Sequence, residues 1–537
     1  MRMRHEVLGK DRSEAMGRDP ISKLLLRFSG PAILAAETAA LYNLFDAIWC
    51  GRLGAQAVAA LSVGNPLMTI YRAIGGGIGV GAASLIARNL GAGKKEETDR
   101  VVGSSISFFF ILSGIITIIC LLNLEPLLRL FGADDTVLPL AQSYMFIETS
   151  SLAIDFFLIV LVELVRVGGS PAIASTGTIV ASVMDLIWSP LLVFGLGPIP
   201  ALGVAGAALG TTIGRAAGVG VLLTYLGLGK SIYQFRLSYF RPNLRIIVDI
   251  YRVGVAQTVR AGSMSISQAL ANRVAASFGV IPLAVLGVVF KVNMIVFAVC
   301  MGIGQGMMPL VGYNFGAQKK ERVGEVVIKA GLFSFIWGAA CWLVVTLFSS
   351  QIISIFGADP SFLDAGALAI RILALGFFAV GIQNILGFFF QGIGKAIPSL
   401  VVSSSRQLLF LIPSLLILPN IFGVTGLWIA YPVADAFSVT LSLIWGITIF
   451  RNLKIQLSPE SSARALLNSV GEPRKSSSIH CGGLHHCSHK YSHGLRHSRS
   501  FPSSSNHDSD IHDPRSVDWG TKFSSRLARA VLSSEKE

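Results

Sequence analysis

Six carboxylates in the first half of the chain fall within apolar stretches: Glu37, Asp46, Glu148, Asp155, Glu163 and Asp185. At mid-bilayer depth an ionised side chain costs roughly 2.5–3.5 kcal/mol on insertion scales, so each needs a partner or a task. Asp185 and Ser189 are four residues apart and share one helix face. Thr211 lies in the run Gly206-Ala-Ala-Leu-Gly-Thr-Thr-Ile-Gly, and Asp46 stands before Gly51-Arg52-Leu53-Gly54. If these three segments pack together, their carboxylates and hydroxyls can hold Na⁺ or share a proton. Asp46, Asp185, Ser189 and Thr211 are therefore the candidate residues for cation or proton coupling. Glu37, Asn43, Glu148, Asp155 and the second-half bases Arg260, Lys291 and Arg406 are candidates for lining or gating a cleft. Local pairing competes with these roles. Glu163 and Arg166, three apart, form a helical ion pair. Arg406 and Asp435 can neutralise each other, and Arg371 can snorkel outward. Glu148 and Asp155 are seven apart on one face, and either line the cleft or meet a second-half base.

The elements that must position these residues are spans. Of 537 residues, 52% are hydrophobic and only 14% charged, with a mean hydropathy of +0.65; a soluble domain runs nearer 25% charged. Spanning helices need about 20 mostly apolar residues. Twelve windows qualify, at about 27–49, 57–87, 103–124, 138–165, 172–196, 200–228, 248–277, 284–312, 326–348, 364–391, 397–418 and 424–450. Alternate loops carry the positive charge: Arg88, Lys94, Lys95 and Arg100, then Lys230, Arg236, Arg241, Arg245 and Arg252, then Lys319, Lys320 and Arg322. The remaining loops are nearly bare. By the positive-inside rule both termini are cytoplasmic, in a multi-pass protein of the cell membrane.

Residues 77–96 and 302–321 are identical at eleven of twenty positions without a gap. The same offset, 225 residues, pairs Phe131-Gly132-Ala133-Asp134 with Phe356-Gly357-Ala358-Asp359, Gly54 with Gly279, and Gly169 with Gly394. The expected fold class is thus an all-α membrane protein of twelve transmembrane helices, in two homologous six-helix bundles around a central cleft. The expected segments are a cytoplasmic N-terminal stretch 1–22, a first lobe 23–228, a basic linker 229–247, a second lobe 248–452 and a Ser/His-rich disordered tail 453–537. Six helices per half make the repeats parallel, related by an axis along the membrane normal. Two rocking halves suit a transporter better than a fixed pore. The charges break the repeat, acids in the first half and bases in the second: Asp46 aligns with Ala271 and Asp185 with Phe410. One charge moved through 100 mV supplies about 2.3 kcal/mol, and one pH unit about 1.4 kcal/mol. Together they support a substrate gradient of several hundred-fold.

Other chemistries find little support. The glycine run 75–81 sits inside an apolar helix with no preceding strand, so it reads as close packing and not as a nucleotide loop. No GxxxxGK[ST] occurs, which disfavours an ATP-driven pump. Eight of nine His lie in the tail, and the spacing of His480, Cys481, His485, His486, Cys487 and His489 fits no established metal site. No disulfide framework is suggested by the six Cys. No cofactor, metal or nucleic-acid partner is expected.

These residues resemble the multidrug and toxic compound extrusion (MATE) transporters of prokaryotic type over about 20–450. The resemblance rests on Asp46 with Gly51-Arg52-Leu53-Gly54, on Leu90-Gly91-Ala92-Gly93, on Gly312-Tyr313-Asn314-Phe315-Gly316-Ala317 and on Arg166-Val-Gly-Gly169. It implies export of organic, often cationic, compounds against H⁺ or Na⁺ by a monomer in lipid. Asp46 takes the place of the family's first-helix cation or proton residue, and Thr211 matches a sixth-helix Thr. The fifth helix departs from the family's Asn, three residues, Asp-Pro: Asp185 falls on the Asn position and Ser189 on the Asp, one turn or about 6 Å apart. Family acids of helices 7 and 10 are absent, which places coupling in the first lobe. The alternatives are a lipid-linked saccharide flippase of the same superfamily and an organic-anion exporter using Arg260, Lys291 and Arg406. A membrane-bound enzyme has no nucleophile, metal or acid–base cluster to draw on.

Overall fold

Backbone groups in hydrocarbon must be satisfied within their own segment, so apolar runs of this length fold as helices. The computed structural model describes residues 13–195, 200–357 and 359–453, and among these there is no strand. The expected tail beyond 453 and its His/Cys pattern lie outside the described residues.

The first lobe comprises α1 (Ile21–Arg52), α2 (Ala55–Gly91), α3 (Lys95–Leu122), α4 (Leu138–Ser150 and Leu152–Val167), α5 (Pro171–Phe194) and α6 (Val204–Tyr225). The second comprises α7 (Leu244–Ser277), α8 (Val280–Gly316), α9 (Lys320–Leu347) and α10 (Pro360–Ala374 and Phe377–Gly392). Next comes a continuous helical stretch, Ala396–Asn452, of 57 residues. At 1.5 Å per residue that is about 85 Å, far more than one crossing needs. Gly423, at φ 59° and ψ −141°, breaks it into α11 (396–422) and α12 (424–452).

Among the described residues, length and apolarity qualify eight helices, or ten with each bent pair as one span. The break at Gly423 adds an eleventh. The twelfth is α7, whose Arg245, Asp249, Arg252, Arg260 and Arg273 lower its hydropathy. The expected count is met, although α1 begins at Ile21, six residues earlier than the sequence window.

The repeat is copied in three dimensions. An offset of 225 carries α2 onto α8, α3 onto α9, and Leu152–Val167 onto Phe377–Gly392, end to end. The bends recur, at 48° in α4 and 44° in α10. Gly54 and Gly279 share φ of 113° and 116° between the first two helices of each lobe. Where the first lobe has Gly93 at φ 74°, the second has Gln318 at φ 58°.

The lobes meet at the end that carries the basic loops. Ser29 Oγ donates to Ile303 O at 3.4 Å, Thr258 Oγ1 to Ala73 O at 3.0 Å, and Ser84 Oγ to Gln391 O. Gly77 and Gly254 lie backbone to backbone, as do Gly81 with Ile250 and Gly91 with Tyr313. A short N-terminal turn joins them: Asn314 Nδ2 donates to Met16 O at 3.1 Å, Lys319 Nζ to Gly17 O at 2.8 Å and Arg322 Nη2 to Asp19 O at 2.7 Å. Toward the opposite end Gly51, Gly54, Gly262, Gly279 and Gly287 face open space. The segment between lobes is pinned beneath the first one. Tyr233, buried, donates to Leu164 O at 2.7 Å, and Asp99 Oδ1 accepts from Gln234 N at 3.0 Å. Burial pushes the Tyr233 phenol further above its ordinary value near 10.

Candidate functional site

Four glycines at four-residue spacing, Gly206, Gly210, Gly214 and Gly218, form a ridge along α6. A Cβ at Gly210 would lie 2.6 Å from Ser189 N, one at Gly218 2.5 Å from Gly177 O, and one at Gly214 would collide with Ala181 O. The two helices therefore pack with no side chains between them along this line, and α5 presents Asp185 and Ser189 directly to α6.

The result is a small cluster of oxygens out of water. Asp185 is 2% exposed and Ser189 0%. Ser189 Oγ donates to Asp185 Oδ1 at 2.7 Å. Thr211, also buried, donates to Ala207 O at 3.1 Å, and the same carbonyl lies 3.5 Å from Ser189 Oγ. Among the described residues Asp185 Oδ2 is buried without a hydrogen-bond partner. The structure thus brings together three of the four expected coupling residues. The side chains of Asn43 and Asp46, both on α1, lie outside the described residues.

Asp185 and Thr211 line a cavity of about 430 Å³ with Asp155, Glu163, Arg166 and Arg215, which Gln305 of the second lobe also borders. Arg215, on α6, holds Glu148 Oε2 at 2.7 Å and Asp155 Oδ1 at 3.2 Å. Arg215 therefore bridges both carboxylates inside the first lobe and offsets one of their two charges, which corrects the expectation of a second-half base as partner. The picture of an uncompensated acidic first lobe changes with it, because Arg72 and Arg215 share its cavity. Arg166 Nη1 donates to Glu163 Oε1 at 2.6 Å, the local pair the spacing predicts. Asp185 differs from these three acids in having a hydroxyl as its hydrogen-bond donor. Glu37 is half-buried on α1, with Oε1 buried and unpartnered.

Sequence reasoning missed Arg215. The available signal was its place on α6 one turn after Thr211, on the face that looks at α4 and α5.

The second lobe holds its own cavity, about 220 Å³, lined by Gln257, Arg260, Asn384, Gln391, Arg406 and Gln407 among others. Arg406 Nε donates to Asp435 Oδ1, as expected. Arg260 Nη1 donates to Asn384 Oδ1 at 3.2 Å, and the guanidinium lies 5.7 Å from the Phe388 ring centroid. Lys291 lines neither cavity; it is exposed, 5.8 Å from the Phe356 ring centroid. Arg371, also exposed, donates to Ser349 Oγ at 2.7 Å. Among the described residues no group of three or more His, Cys, Asp or Glu could hold a metal ion. Cys120, Cys300 and Cys341 are free thiols.

Comparison with known proteins fits this arrangement. The MatE family model matches twice, at residues 31–191 and 262–416, once in each lobe. The multidrug export protein MepA of Staphylococcus saprophyticus is 25% identical over 437 residues, covering 80% of this chain and 94% of its own. An FAD transporter of Shewanella oneidensis is 27% identical over 426 residues, covering 78% and 92%. A crystal structure of a MATE protein in complex with MaL6 superposes with a TM-score of 0.78 at 26% identity, covering 82% of this chain and 99% of its own.

Proposed function

The chain belongs to the MatE family, a multi-pass membrane transporter and not an enzyme, and from that premise we propose that it exports small organic compounds in exchange for H⁺ or Na⁺ taken up at the Asp185 cluster. Transporters of this family draw on ion gradients and need no cofactor. One observation carries the assignment of the site: Asp185 is buried, bound by the Ser189 hydroxyl at 2.7 Å, and among the described residues has a second carboxylate oxygen without a partner.

That oxygen can be completed in two ways. A proton can bind Oδ2 while Ser189 continues to donate to Oδ1. Alternatively Na⁺ can sit against Asp185, the Thr211 hydroxyl and the Ala207 carbonyl, with Ser189 turning its lone pairs inward. Either cation cancels a charge that the low-dielectric interior penalises. The lobes can then rock without dragging an unpaired carboxylate through hydrocarbon. Asp46, on α1, which packs against α5, is a proposed second member of this site.

We assign the basic end to the cytoplasm, which puts both termini there. The lobe contacts seal that end, so the cleft opens outward and the cluster takes its ion from outside. The ion is released after the lobes separate at the basic end. Cargo is carried the opposite way through the cavity beside Asp185, whose 430 Å³ suits a small organic molecule. The family resemblance gives organic cations as its class, and the protein works as a monomer.

Reconstituted vesicles given either a pH or a Na⁺ gradient test this. Asp185→Asn keeps the shape of the side chain but neither binds a proton nor carries the charge that holds Na⁺. Gradient-driven uptake should fall at least 100-fold, with the protein still folded and inserted. Unchanged uptake by the variant would remove Asp185 from the mechanism.

A further inference from the structure

The second-lobe cavity has a composition of its own. Two arginines, Arg260 and Arg406, line it, and no carboxylate does. Arg406 is cancelled by Asp435. Among the described residues Arg260 has no carboxylate within ion-pair distance; its contacts are Met301 Sδ at 3.3 Å, Asn384 Oδ1 at 3.2 Å and the face of Phe388. A half-buried guanidinium at membrane depth with only neutral neighbours is expensive to keep unless something else supplies the counter-charge.

The hydrogen bonds around it point the same way. Asn384 spends its carbonyl on Arg260, which leaves its NH₂ as the free end. Gln407 spends its carbonyl on Ser267 Oγ at 2.7 Å, and again the NH₂ remains. Both of the described hydrogen bonds of Arg260 use Nη1, so Nε and Nη2 are left. The unspent capacity of these three side chains is donor capacity, which matches an oxyanion. The buried acceptors Gln257 Oε1 and Gln391 Oε1 suit a hydroxyl or amide on the same molecule. Gln257 also lies next to Gly76 of the first lobe, so the cavity borders the seam between the lobes.

We propose that this cavity is an anion site, built to hold a carboxylate or phosphate group of the transported compound on Arg260, Asn384 and Gln407. Its volume, about 220 Å³, takes a charged group and its attachment point, while the rest of the molecule lies in the cleft. The cargo is then a compound that carries an anionic group as well as the cationic one. This inference rests on the export reading only in treating the anion as cargo; binding itself stands apart from coupling.

The test is fluorescence anisotropy of carboxyfluorescein on the full chain in lipid nanodiscs, with the cationic dye rhodamine 6G as reference. Arg260→Gln should weaken carboxyfluorescein binding at least tenfold, Arg260→Lys by less than about threefold, and neither should move rhodamine 6G. Asn384→Asp keeps the arginine and gives it an internal counter-charge. It too should lose at least tenfold for the anion, which guards against misfolding of the first variant. Competition by benzoate against phenyl phosphate tells a carboxylate site from a phosphate site. Asp185→Asn should bind carboxyfluorescein like the wild type even though coupled transport is lost, so failure of one reading is visible apart from failure of the other. Wild-type chain that does not bind the dye, or binding that survives Arg260→Gln and Asn384→Asp, or displacement by neither competitor, overturns the proposal.

Discussion

Arg215 reaches Glu148 on one limb of α4 and Asp155 on the other, at 2.7 and 3.2 Å, with its own side chain 6% exposed. Removing one partner of a buried ion pair strands the others, at about 3–5 kcal/mol. Arg215→Met should therefore lower stability by roughly that amount, read as a fall in thermal midpoint of the solubilised protein. Adding Glu148→Gln and Asp155→Asn should restore most of it, because no charge is then left unpaired. A second residue-scale prediction concerns the loops at the non-basic end. Asp134 is held below the usual carboxylate range by hydrogen bonds from the Thr136 side chain and Val137 N, and Asp359 by bonds from the Ser361 side chain and backbone and from Phe362 N. A depressed carboxylate contributes stability that is present above its ordinary value near 3.8 and lost as pH falls through the lowered one. Hydrogen exchange in both loops should accelerate below that range, and Asp134→Asn with Asp359→Asn should flatten the dependence.

At the scale of elements, the glycine ridge of α6 sets the distance at which Thr211 and Ala207 face Ser189. Gly210→Leu should lower stability by about 1–3 kcal/mol through overpacking, and should abolish gradient-driven uptake with Asp185, Ser189 and Thr211 all in place. Gly220→Leu is the control, since a Cβ there meets nothing within 4 Å; uptake and thermal midpoint should be unchanged. What the sequence made legible follows the same division. Spans, the repeat and the Asp185–Ser189 pair were readable because each depends on local spacing, on 20-residue apolarity or on one fixed offset. The Arg215 bridge was not, because it joins residues 60 and 67 positions away. It also depends on the 48° bend of α4, which no residue pattern near Ser151 announces. The arginine-lined second cavity lay between these cases: Arg260 and Arg406 stood out as bases at membrane depth, but which of them Asp435 would neutralise is a matter of tertiary packing.

For the whole molecule, the lobe-to-lobe closure at the basic end uses main-chain acceptors of the N-terminal turn. The carbonyls of Met16, Gly17 and Asp19 receive Asn314, Lys319 and Arg322 from the α8–α9 junction. Cationic donors at the end of a helical turn also meet the negative end of its dipole. A charged hydrogen bond is worth about 1.5–3 kcal/mol, which corresponds to a tenfold or larger change in the ratio of closed to open states at this end. Arg322→Ala should raise the population separated there by about that factor. Spin labels at the exposed positions Glu97 and Glu321 report it as growth of a long-distance component, and an unchanged distance distribution would assign the latch no part in the equilibrium.

The glycine contacts between α2, α7 and α8 have an electrical consequence. Backbone pressed on backbone at Gly77–Gly254, Gly81–Ile250 and Gly91–Tyr313 leaves little conducting fluid along that seam, and on the outward-open reading proposed above the bathing solution enters from the far side. On that reading the transmembrane field is concentrated in the thin plug and is weaker on the Asp185 side of it. Loading the ion from outside moves almost no charge through the field; current flows when the plug dissolves on one side and reforms on the other. Voltage should therefore set the rate of the rocking step and leave the affinity for the external ion untouched.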